Sequence, residues 1–387
     1  MRICHVITRM IVGGAQENTL LTILDHVSKG HEVVLVTGPS PGPEGKLLDK
    51  VGAEGIEIVT SPHLVRELSP FKDFAAYRGL RRVFRGMKPD VVHTHSSKAG
   101  VVGRAAAWAE NVPFVCHTVH GPPFHRYEKS WRNFLYKVAE RWAAKRCHKI
   151  FAVADAMVRQ YVDAGIAPES KFMTVYSGMR VEDYADAAPI PRSELGIPDG
   201  APVVVTVARL FPLKGYEYLL DAAEIISREL PETRFLVVGD GILRAEIELE
   251  SKRRGLNFVF AGLVAPSEVG RYVTASDVMM HLSLREGLPR SVVQALAAGV
   301  PPVAFELDGA PEVVLPGKTG FLAPAEDAEA AARGALDILR DDALRAKMSE
   351  SGRKLAMDMF GWRKMGDVLE REYLEGSGIS RDPETKS

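Results

Sequence analysis

Residues 2–38 read RICHVITRMIVGGAQENTLLTILDHVSKGHEVVLVTG. An apolar run leads into the turn residues Gly13 and Gly14, a segment of helical period closes at Gly30, and a second apolar run covers residues 32–37. A buried strand, a helix and a second buried strand form the repeating unit of parallel β-sheets. The start of the chain therefore predicts an α/β fold.

The same alternation continues as far as residue 154. We expect apolar strands at DVVHTH and PFVCHTVHG and at KIFAVA, with helices near residues 99–110 and 129–147 between them. Strands that are apolar along their whole length indicate a parallel sheet covered on both faces. This pattern predicts one doubly wound parallel-sheet domain.

A proline-rich connector, DAAPIPRSELGIPDGAP, follows at residues 186–202. Such a composition is typical of a segment between two cores, so we place the first domain at residues 1–187 and the second at residues 188–359. The second domain repeats the alternation, with strands at VVVTVARL, TRFLVVGDG, NFVFAGL, VMMHLS, PPVAF and TGFLA and helices from about Tyr216 to Glu229, Leu243 to Arg254 and Pro266 to Ala275.

Composition sets the class of protein. The 387 residues are 46% hydrophobic, and the three cysteines are scattered without a CxxC pair, which disfavours a disulfide framework or a cysteine-rich zinc site. No apolar run is long enough for a membrane span, so a reduced cytoplasmic setting is expected.

The first 187 residues carry 25 Lys and Arg against 19 Asp and Glu, although the net charge of the chain is −1. No nucleic-acid partner is expected.

Polar residues concentrate just after the predicted strands, where parallel sheets bind ligands. Arg209 and Lys214 flank a strand-to-helix loop, where two cations and helix amides can neutralise a diphosphate; solvated surface cations are the alternative. Gly14 lets a backbone approach an anionic ligand. Glu286 precedes a Gly-Leu-Pro turn and a short helix, where a carboxylate commonly complements the helix dipole.

Histidines cluster along two predicted strands. His93 and His95 share one strand face, and His117, His120 and His125 follow nearby. Zinc binding and hydrogen bonding without a metal both fit this pattern, but no HExxH motif accompanies the histidines. His120, which precedes Gly-Pro-Pro, is the histidine that we expect to face a substrate.

Several motifs together resemble glycosyltransferase family 4. They are GGAQ, VHG, VARLFPLKG, VVGDGILRAEIE, FAGLV and SLREGLPRSVVQALAAGVPPVAF, and their order matches over nearly the whole chain. The resemblance implies the GT-B fold, in which two Rossmann-like domains face each other across a cleft. It also implies transfer of a sugar from a nucleotide-sugar donor with retention of anomeric configuration.

The resemblance implies roles for individual residues. His120 and Glu286 would contact the donor sugar, and Arg209 with Lys214 would hold its diphosphate. Further donor-binding positions are Gly13, Gly14, Gly239, Gly241, Leu263, Val264, Gly287, Leu288, Pro289 and Gln294. Gln294 departs from the family pattern, which has a second glutamate there to bind the ribose hydroxyls; an amide accepts such hydrogen bonds less strongly than a carboxylate.

The resemblance also implies a mechanism without a cofactor. The acceptor attacks from the face that the phosphate leaves, and positioning with charge stabilisation carries most of the rate. Because Arg209, Lys214 and helix dipoles supply positive charge, no metal is expected. The co-substrate is a UDP- or GDP-sugar, and the acceptor is a glycan or lipid-linked acceptor in cell-surface polysaccharide or glycolipid synthesis.

A basic amphipathic segment indicates where such an acceptor meets the protein. Arg78, Arg81, Arg82 and Arg85 recur at helical spacing among apolar residues, a pattern that fits either a helix lying on anionic lipid or a core helix with a solvated basic face. Because the resemblance implies lipid-linked acceptors at the cytoplasmic face of the membrane, the protein is expected in the cytoplasm, peripheral to the inner face of the membrane. By resemblance, a helix at about 360–376 crosses back onto the first domain, and residues 377–387 form a disordered tail.

Two other functions share this fold. A nucleotide-sugar 2-epimerase would bind the same donor, but VARLFPLKG and EGLP favour transfer. A catalytically inactive partner subunit has Gln294 as its only support.

Overall fold

The computed structural model describes residues 1–40, 47, 48, 52, 54–67 and 69–379. The chain forms two compact units, the first comprising Met1–Met179 with the C-terminal segment from Trp362, the second Arg180–Gly361. The division thus falls before the predicted boundary at residue 187. Residues 180–187 belong to the second unit because they pack against it. Ala187 lies so close to Gly270 that a Cβ added at Gly270 would be 2.9 Å from Ala187 Cβ.

The first unit is built on a seven-stranded sheet in which every paired strand is parallel. Its strands are β1 (Arg2–Ile7), β2 (Glu32–Thr37), β3 (Glu57–Thr60), β4 (Val91–His95), β5 (Phe114–Val119), β6 (Lys149–Ala152) and β7 (Phe172–Thr174). Their order is β3-β2-β1-β4-β5-β6-β7. The helices are α1 (Gly14–Ser28), α2 (Pro70–Met87), α3 (Ser97–Ala109), α4 (Ser130–Ala144) and α5 (Asp155–Asp163).

Burial explains which of these strands the sequence predicts. Strands β1, β4 and β5 are almost entirely buried, and they appear as continuous apolar runs in the sequence. The edge strands β3 and β7 are short and partly exposed, so they carry no such run and the sequence analysis missed them.

The second unit repeats the arrangement with six strands, again parallel throughout. The strands β8 (Val203–Val207), β9 (Arg234–Val238), β10 (Phe258–Gly262), β11 (Val278–His281), β12 (Pro302–Phe305) and β13 (Phe321–Ala323) lie in the order β10-β9-β8-β11-β12-β13. The helices are α6 (Glu182–Ala185), α7 (Tyr216–Glu229), α8 (Arg244–Arg253), α9 (Val269–Thr274), α10 (Arg290–Ala298), α11 (Ala328–Arg340) and α12 (Asp342–Phe360).

Predicted and observed helix bounds agree closely for α7 and α8, but not for the start of α9. Helix α7 begins at Tyr216 and ends at Glu229, as predicted, because Gly215 adopts a left-handed conformation with φ 72° immediately before it. Helix α9 begins only at Val269, after the turn in which Glu268 N donates to Ala265 O. The prediction of a start near Pro266 was therefore early.

The last helix, α13 (Trp362–Ser377), packs in the first unit. Trp362 N donates to Met179 O at 3.0 Å, and Lys29 Nζ lies 2.7 Å from Asp367 Oδ1. The segment predicted at about 360–376 is thus a helix of the first unit. Most of the predicted disordered tail, residues 380–387, lies outside the described residues. Across the described part of the chain, no helix combines the length and apolar character that crossing a bilayer requires.

Candidate functional site

The candidate donor site of the second unit lies where its strand order reverses, between β8 and β11. Ligands of doubly wound sheets bind at such a point, outside the carboxyl ends of the strands. Leu284 N donates to Leu213 O at 2.9 Å, and Ser283 Oγ donates to the same carbonyl at 3.1 Å. Gly215 lies so close that an added Cβ would be 1.8 Å from Leu282 O. These contacts fix the β8 loop against the β11 loop.

Lys214 and Glu286, which the sequence analysis named separately, form an ion pair here. Lys214 Nζ lies 2.6 Å from Glu286 Oε1, and the side chains are 22% and 21% exposed. His281 Nε2 lies 3.4 Å from the same carboxylate oxygen, and the Glu286 amide donates to Asp308 Oδ2 at 2.7 Å. Glu286 is therefore held in place by contacts of its carboxylate and by a hydrogen bond from its backbone amide.

The surroundings keep Glu286 ionised. Burial acts against the charge, but the Lys214 ammonium and the nearby His281 ring outweigh it, so the pKa of this carboxyl lies well below its usual range. The site thus contains a fixed anion paired with a fixed cation.

Helix α10 begins beside this pair. Gly309 N donates to Gly287 O at 3.1 Å and positions the segment before the helix. Ser291 Oγ lies 3.2 Å from His281 Nδ1, so the first turn of the helix contacts the end of β11. Gln294 is three residues further along and faces the same side as Ser291. The unsatisfied amides of a helix N-terminus attract anions such as phosphate.

The β8 and β9 loops approach each other closely at two glycines. Gly239 has φ 140°, and an added Cβ there would lie 2.1 Å from Ala208 O; at Gly241 it would lie 2.3 Å from Leu210 O. Only glycine accommodates both approaches. Arg209, at the end of β8, lies over the Phe211 ring at 5.1 Å.

Donor positions predicted beyond these loops differ in exposure. Leu263 is 73% exposed, Val264 is half-buried and Leu288 is buried. The roles of these residues, and of Pro289 just before α10, remain predictions. No sequence motif pointed to His281, Ser291 or Asp308; the available signal was a histidine within the apolar run VMMHLS, at the end of β11.

Two predicted features of the first unit lie in the segments that follow β1 and β5. Gly13 has an extended backbone and accepts a hydrogen bond from Glu17 N at 2.9 Å, and the exposed Gly14 opens α1. His120 follows β5 directly, and its Nε2 lies 3.2 Å from His95 Nδ1.

A histidine cluster of the first unit adds His5 to the predicted pair, His93 and His95. His5, His93 and His95 are fully buried, and their candidate ligand atoms lie within 4.8 Å of one another. His117 pairs with Thr94 in the sheet register, so it faces the opposite side from His93 and His95. His117 therefore lies outside this cluster, and His5 belongs to it.

The four arginines of α2 do not form one uniform basic face. Arg81 Nε and Arg85 Nη2 lie 2.5 and 2.8 Å from Glu110 Oε1. These hydrogen bonds, that of Arg85 first, lower the pKa of Glu110. Arg78 and Arg82 are exposed, while Leu80 and Phe84 pack into the core. Two of the four arginines therefore share one carboxylate, which offsets one of their two positive charges.

Comparison with known proteins gives matching results for both units. The family described as "Glycosyl transferase 4-like domain" matches residues 13–178, and "Glycosyl transferases group 1" matches residues 189–355. The 2-deoxystreptamine glucosyltransferase of Streptomyces kanamyceticus is 30% identical over 293 residues, covering 73% of this chain and 75% of the relative.

Full-length relatives and structures agree with this result. The Escherichia coli UDP-Gal:alpha-D-GlcNAc-diphosphoundecaprenol alpha-1,3-galactosyltransferase is 27% identical over 386 residues, 97% of each chain. Anabaena Alr3699/HepE, solved in complex with UDP-glucose, has TM-score 0.82 and 21% identity, covering 97% of this chain and all of that one.

The two doubly wound parallel-sheet units, together with these matches, identify the chain as a GT-B protein. The chain belongs to glycosyltransferase family 4. It is a glycosyltransferase, and the predicted family, fold class and enzyme class are confirmed.

Proposed function

We propose that the protein transfers a hexose from a UDP-sugar to a hydroxyl of a lipid-linked glycan, with retention of anomeric configuration. The relative that matches along 97% of both chains uses UDP-Gal and a diphosphoundecaprenol acceptor, and HepE was solved with UDP-glucose. A shorter match, over 51% of the chain, is to a GDP-mannose-dependent enzyme of Mycolicibacterium smegmatis. GDP-sugars are therefore the alternative donors.

The Lys214–Glu286 pair at the strand-order reversal is the observation that carries this proposal. In the donor complex, Lys214 and Arg209 bind the diphosphate together with the amides at the start of α10. Glu286, already ionised, accepts hydrogen bonds from hydroxyls of the donor sugar. Gln294 accepts a hydrogen bond from the ribose, more weakly than a glutamate would.

The reaction follows from this arrangement. The acceptor oxygen forms a bond to the anomeric carbon as the bond from that carbon to the diphosphate breaks. The acceptor proton passes to the departing diphosphate oxygen on the same face. Lys214, Arg209 and the α10 dipole stabilise the negative charge that develops there, and His120 hydrogen-bonds the donor sugar. Because these groups supply the positive charge, the proposed reaction requires no divalent metal.

The acceptor side of the proposal rests on the first unit. Helices α2 and α4 expose large apolar side chains beside cations: Phe71 is 90% exposed, Phe134 63% and Trp131 56%, and Arg132 lies over the Trp131 ring at 5.3 Å. Exposed aromatic and basic side chains together favour a membrane interface. The protein is thus proposed to act in the cytoplasm, peripherally on the inner face of the membrane.

A turnover assay tests the donor and acceptor assignment. The protein is incubated with UDP-Gal, UDP-Glc, UDP-GlcNAc or GDP-mannose, with GlcNAc-diphosphopolyprenol and EDTA, and nucleotide release and product anomer are measured. We expect UDP release that requires acceptor, gives the α-anomer and is lost in Lys214→Met. The exposed Lys252→Met is the matched control.

Other outcomes separate the competing functions. Conversion of the donor sugar to its epimer without acceptor would identify the isomerase. No turnover with any of these donors would favour an inactive partner subunit, and strict dependence on a divalent cation would contradict the proposed mechanism.

Membrane association needs its own test. The wild type should float with vesicles rich in anionic lipid at low salt, and Phe71→Ser with Trp131→Ser should weaken this flotation. Leu249→Ser is the matched control, because Leu249 is 70% exposed on α8 of the second unit. Equal flotation of all variants, or none in the wild type, would remove the membrane proposal.

A further inference from the structure

Three imidazole rings of the first unit are hydrogen-bonded end to end. His120 Nε2 lies 3.2 Å from His95 Nδ1, and His95 Nε2 lies 3.0 Å from His5 Nδ1. The rings are nearly parallel, with interplanar angles of 30° between His120 and His95 and 19° between His95 and His5. We call His120, His95 and His5 the histidine chain.

Strand order produces this chain. Strands β1 and β4 are neighbours at the strand-order reversal of the first sheet, and the register places His5 opposite His93. His95, two residues after His93, is on the same face. His120 follows β5, the next strand in the sheet. The histidine chain therefore runs from the half-buried His120 to the fully buried His5.

Each buried ring of the chain is neutral at neutral pH. Burial lowers the pKa of His5 to about 3. Burial first, and then the neighbouring histidines, lower the pKa of His95 well below its ordinary value. A neutral imidazole has one N–H donor and one acceptor nitrogen, so the hydrogen bonds of the chain must all run in one direction.

The inner end of the chain decides that direction. His5 Nε2 is buried and has no hydrogen-bond partner among the described residues. If the protons pointed inward, this nitrogen would carry a buried, unpaired N–H, and such groups are rare in folded proteins. If the protons point outward, His5 Nε2 carries a lone pair without a donor, and no buried N–H is left unpaired. In the outward direction, His5 donates from Nδ1 to His95 Nε2, and His95 donates from Nδ1 to His120 Nε2.

We propose that His5 and His95 are positioning residues that hold His120 with its proton on Nδ1 and with Nε2 as an acceptor. The assignment of this tautomer does not depend on which reaction the protein catalyses. Its consequence for catalysis rests on the proposed function: His120 would offer an N–H donor, rather than an acceptor, to the donor sugar.

A metal ion would require a different arrangement of the same rings. His5, His93 and His95 are close enough to share an ion, but His93 already bonds Tyr373 Oη through Nδ1 and Thr118 Oγ1 through Nε2, the latter at 2.6 Å. Both nitrogens of His95 belong to the histidine chain. A bound metal would break these hydrogen bonds, so metal binding and the proposed chain exclude each other.

The tautomers can be measured directly by ¹⁵N NMR of the full chain with labelled histidine rings. We expect His5, His95 and His120 to carry their protons on Nδ1. His120 protonated on Nε2 in the wild type would overturn the proposal, and so would one equivalent of bound metal in the purified protein.

Variants at His95 test the positioning role. His95→Asn keeps an N–H donor near the place of Nδ1 and should preserve the His120 tautomer, whereas His95→Phe removes it and should release His120 to the Nε2–H form. His93→Phe is the control, since His93 is buried on the same strand face but lies outside the chain. An unchanged His120 signal in a folded His95→Phe variant would contradict the proposal.

Kinetics separate this proposal from the proposed function. His95→Phe should lower kcat about tenfold, as expected for one lost hydrogen bond, with little change in the KM for acceptor, and His95→Asn should restore it. If the tautomer changes while kcat does not, the donor role of His120 is wrong and the histidine chain stands. If no variant turns over, the NMR result still decides the tautomer.

Discussion

Replacing Lys214 by methionine isolates the electrostatics of the donor site. The substitution keeps most of the side-chain volume and removes the cation that lies 2.6 Å from Glu286 Oε1. Both side chains are about one-fifth exposed, between a surface pair, worth about 0–1 kcal/mol, and a buried pair whose breakage costs about 3–5 kcal/mol. We therefore expect a loss of about 2 kcal/mol at neutral pH.

The loss should depend on pH in a defined direction. In the wild type the pKa of Glu286 is lowered, so the stability from its ionised form is present above the unfolded-state pKa and is lost only as pH falls through the lower folded-state value. Without Lys214, burial would raise this pKa, and the carboxyl would take up a proton in mild acid. The difference between wild type and variant should then be largest near pH 7.5 and should shrink towards about pH 4.5.

Thermal unfolding at the two pH values measures this effect. About 2 kcal/mol corresponds to a Tm decrease of roughly 4–8 °C for a unit of this size. Lys214→Arg should keep most of the stability, and Lys252→Met should change little at either pH. Equal destabilisation by Lys214→Met at both pH values, or none at neutral pH, would refute the electrostatic account of the pair.

Further predictions concern backbone packing and a buried ion pair. Gly215→Ala should destabilise the second unit by at least about 1–3 kcal/mol and reduce turnover, because φ 72° and the nearby Leu282 carbonyl leave no room for a Cβ; melts and initial rates check this, and a neutral effect would contradict the loop geometry. Glu140→Ala should cost about 3–5 kcal/mol, because it leaves the fully buried Arg104 unpaired. The double variant Arg104→Met with Glu140→Leu should recover much of this in urea unfolding, and no recovery would argue against a charge effect.

The sequence predicts the sheets well, because burial on both faces requires long apolar runs. The edge strands of the first sheet are the exception, as β7 is with only three residues, Phe172–Thr174. The predicted domain boundary at residue 187 differs from the observed division after Met179, because proline content marks a connector but does not show which core it packs against. Residues 182–185 form a short helix of the second unit, and only tertiary contacts reveal that.

As with the fold, the sequence predicts one part of the candidate site and not the other. The motifs identify Lys214 and Glu286 as separate residues, but their hydrogen bond depends on β8 and β11 being neighbours. The sequence likewise places His93 and His95 on one strand face. It could not add His5, because that contact requires the pairing of β1 with β4.

Nucleotide binding without metal tests the central claim most directly. UDP, GDP, ADP and dTDP are each added in EDTA, at about 100 times an expected Kd, to the wild type, Lys214→Met, Gln294→Glu and Lys252→Met, and the unfolding transition is followed. A bound ligand at that excess adds about 2.7 kcal/mol. We expect UDP to stabilise the wild type and Lys252→Met, Lys214→Met to lose the effect, and Gln294→Glu to strengthen it. Absence of stabilisation by every nucleotide, or equal stabilisation of Lys214→Met, would contradict the role of Lys214 in binding the donor.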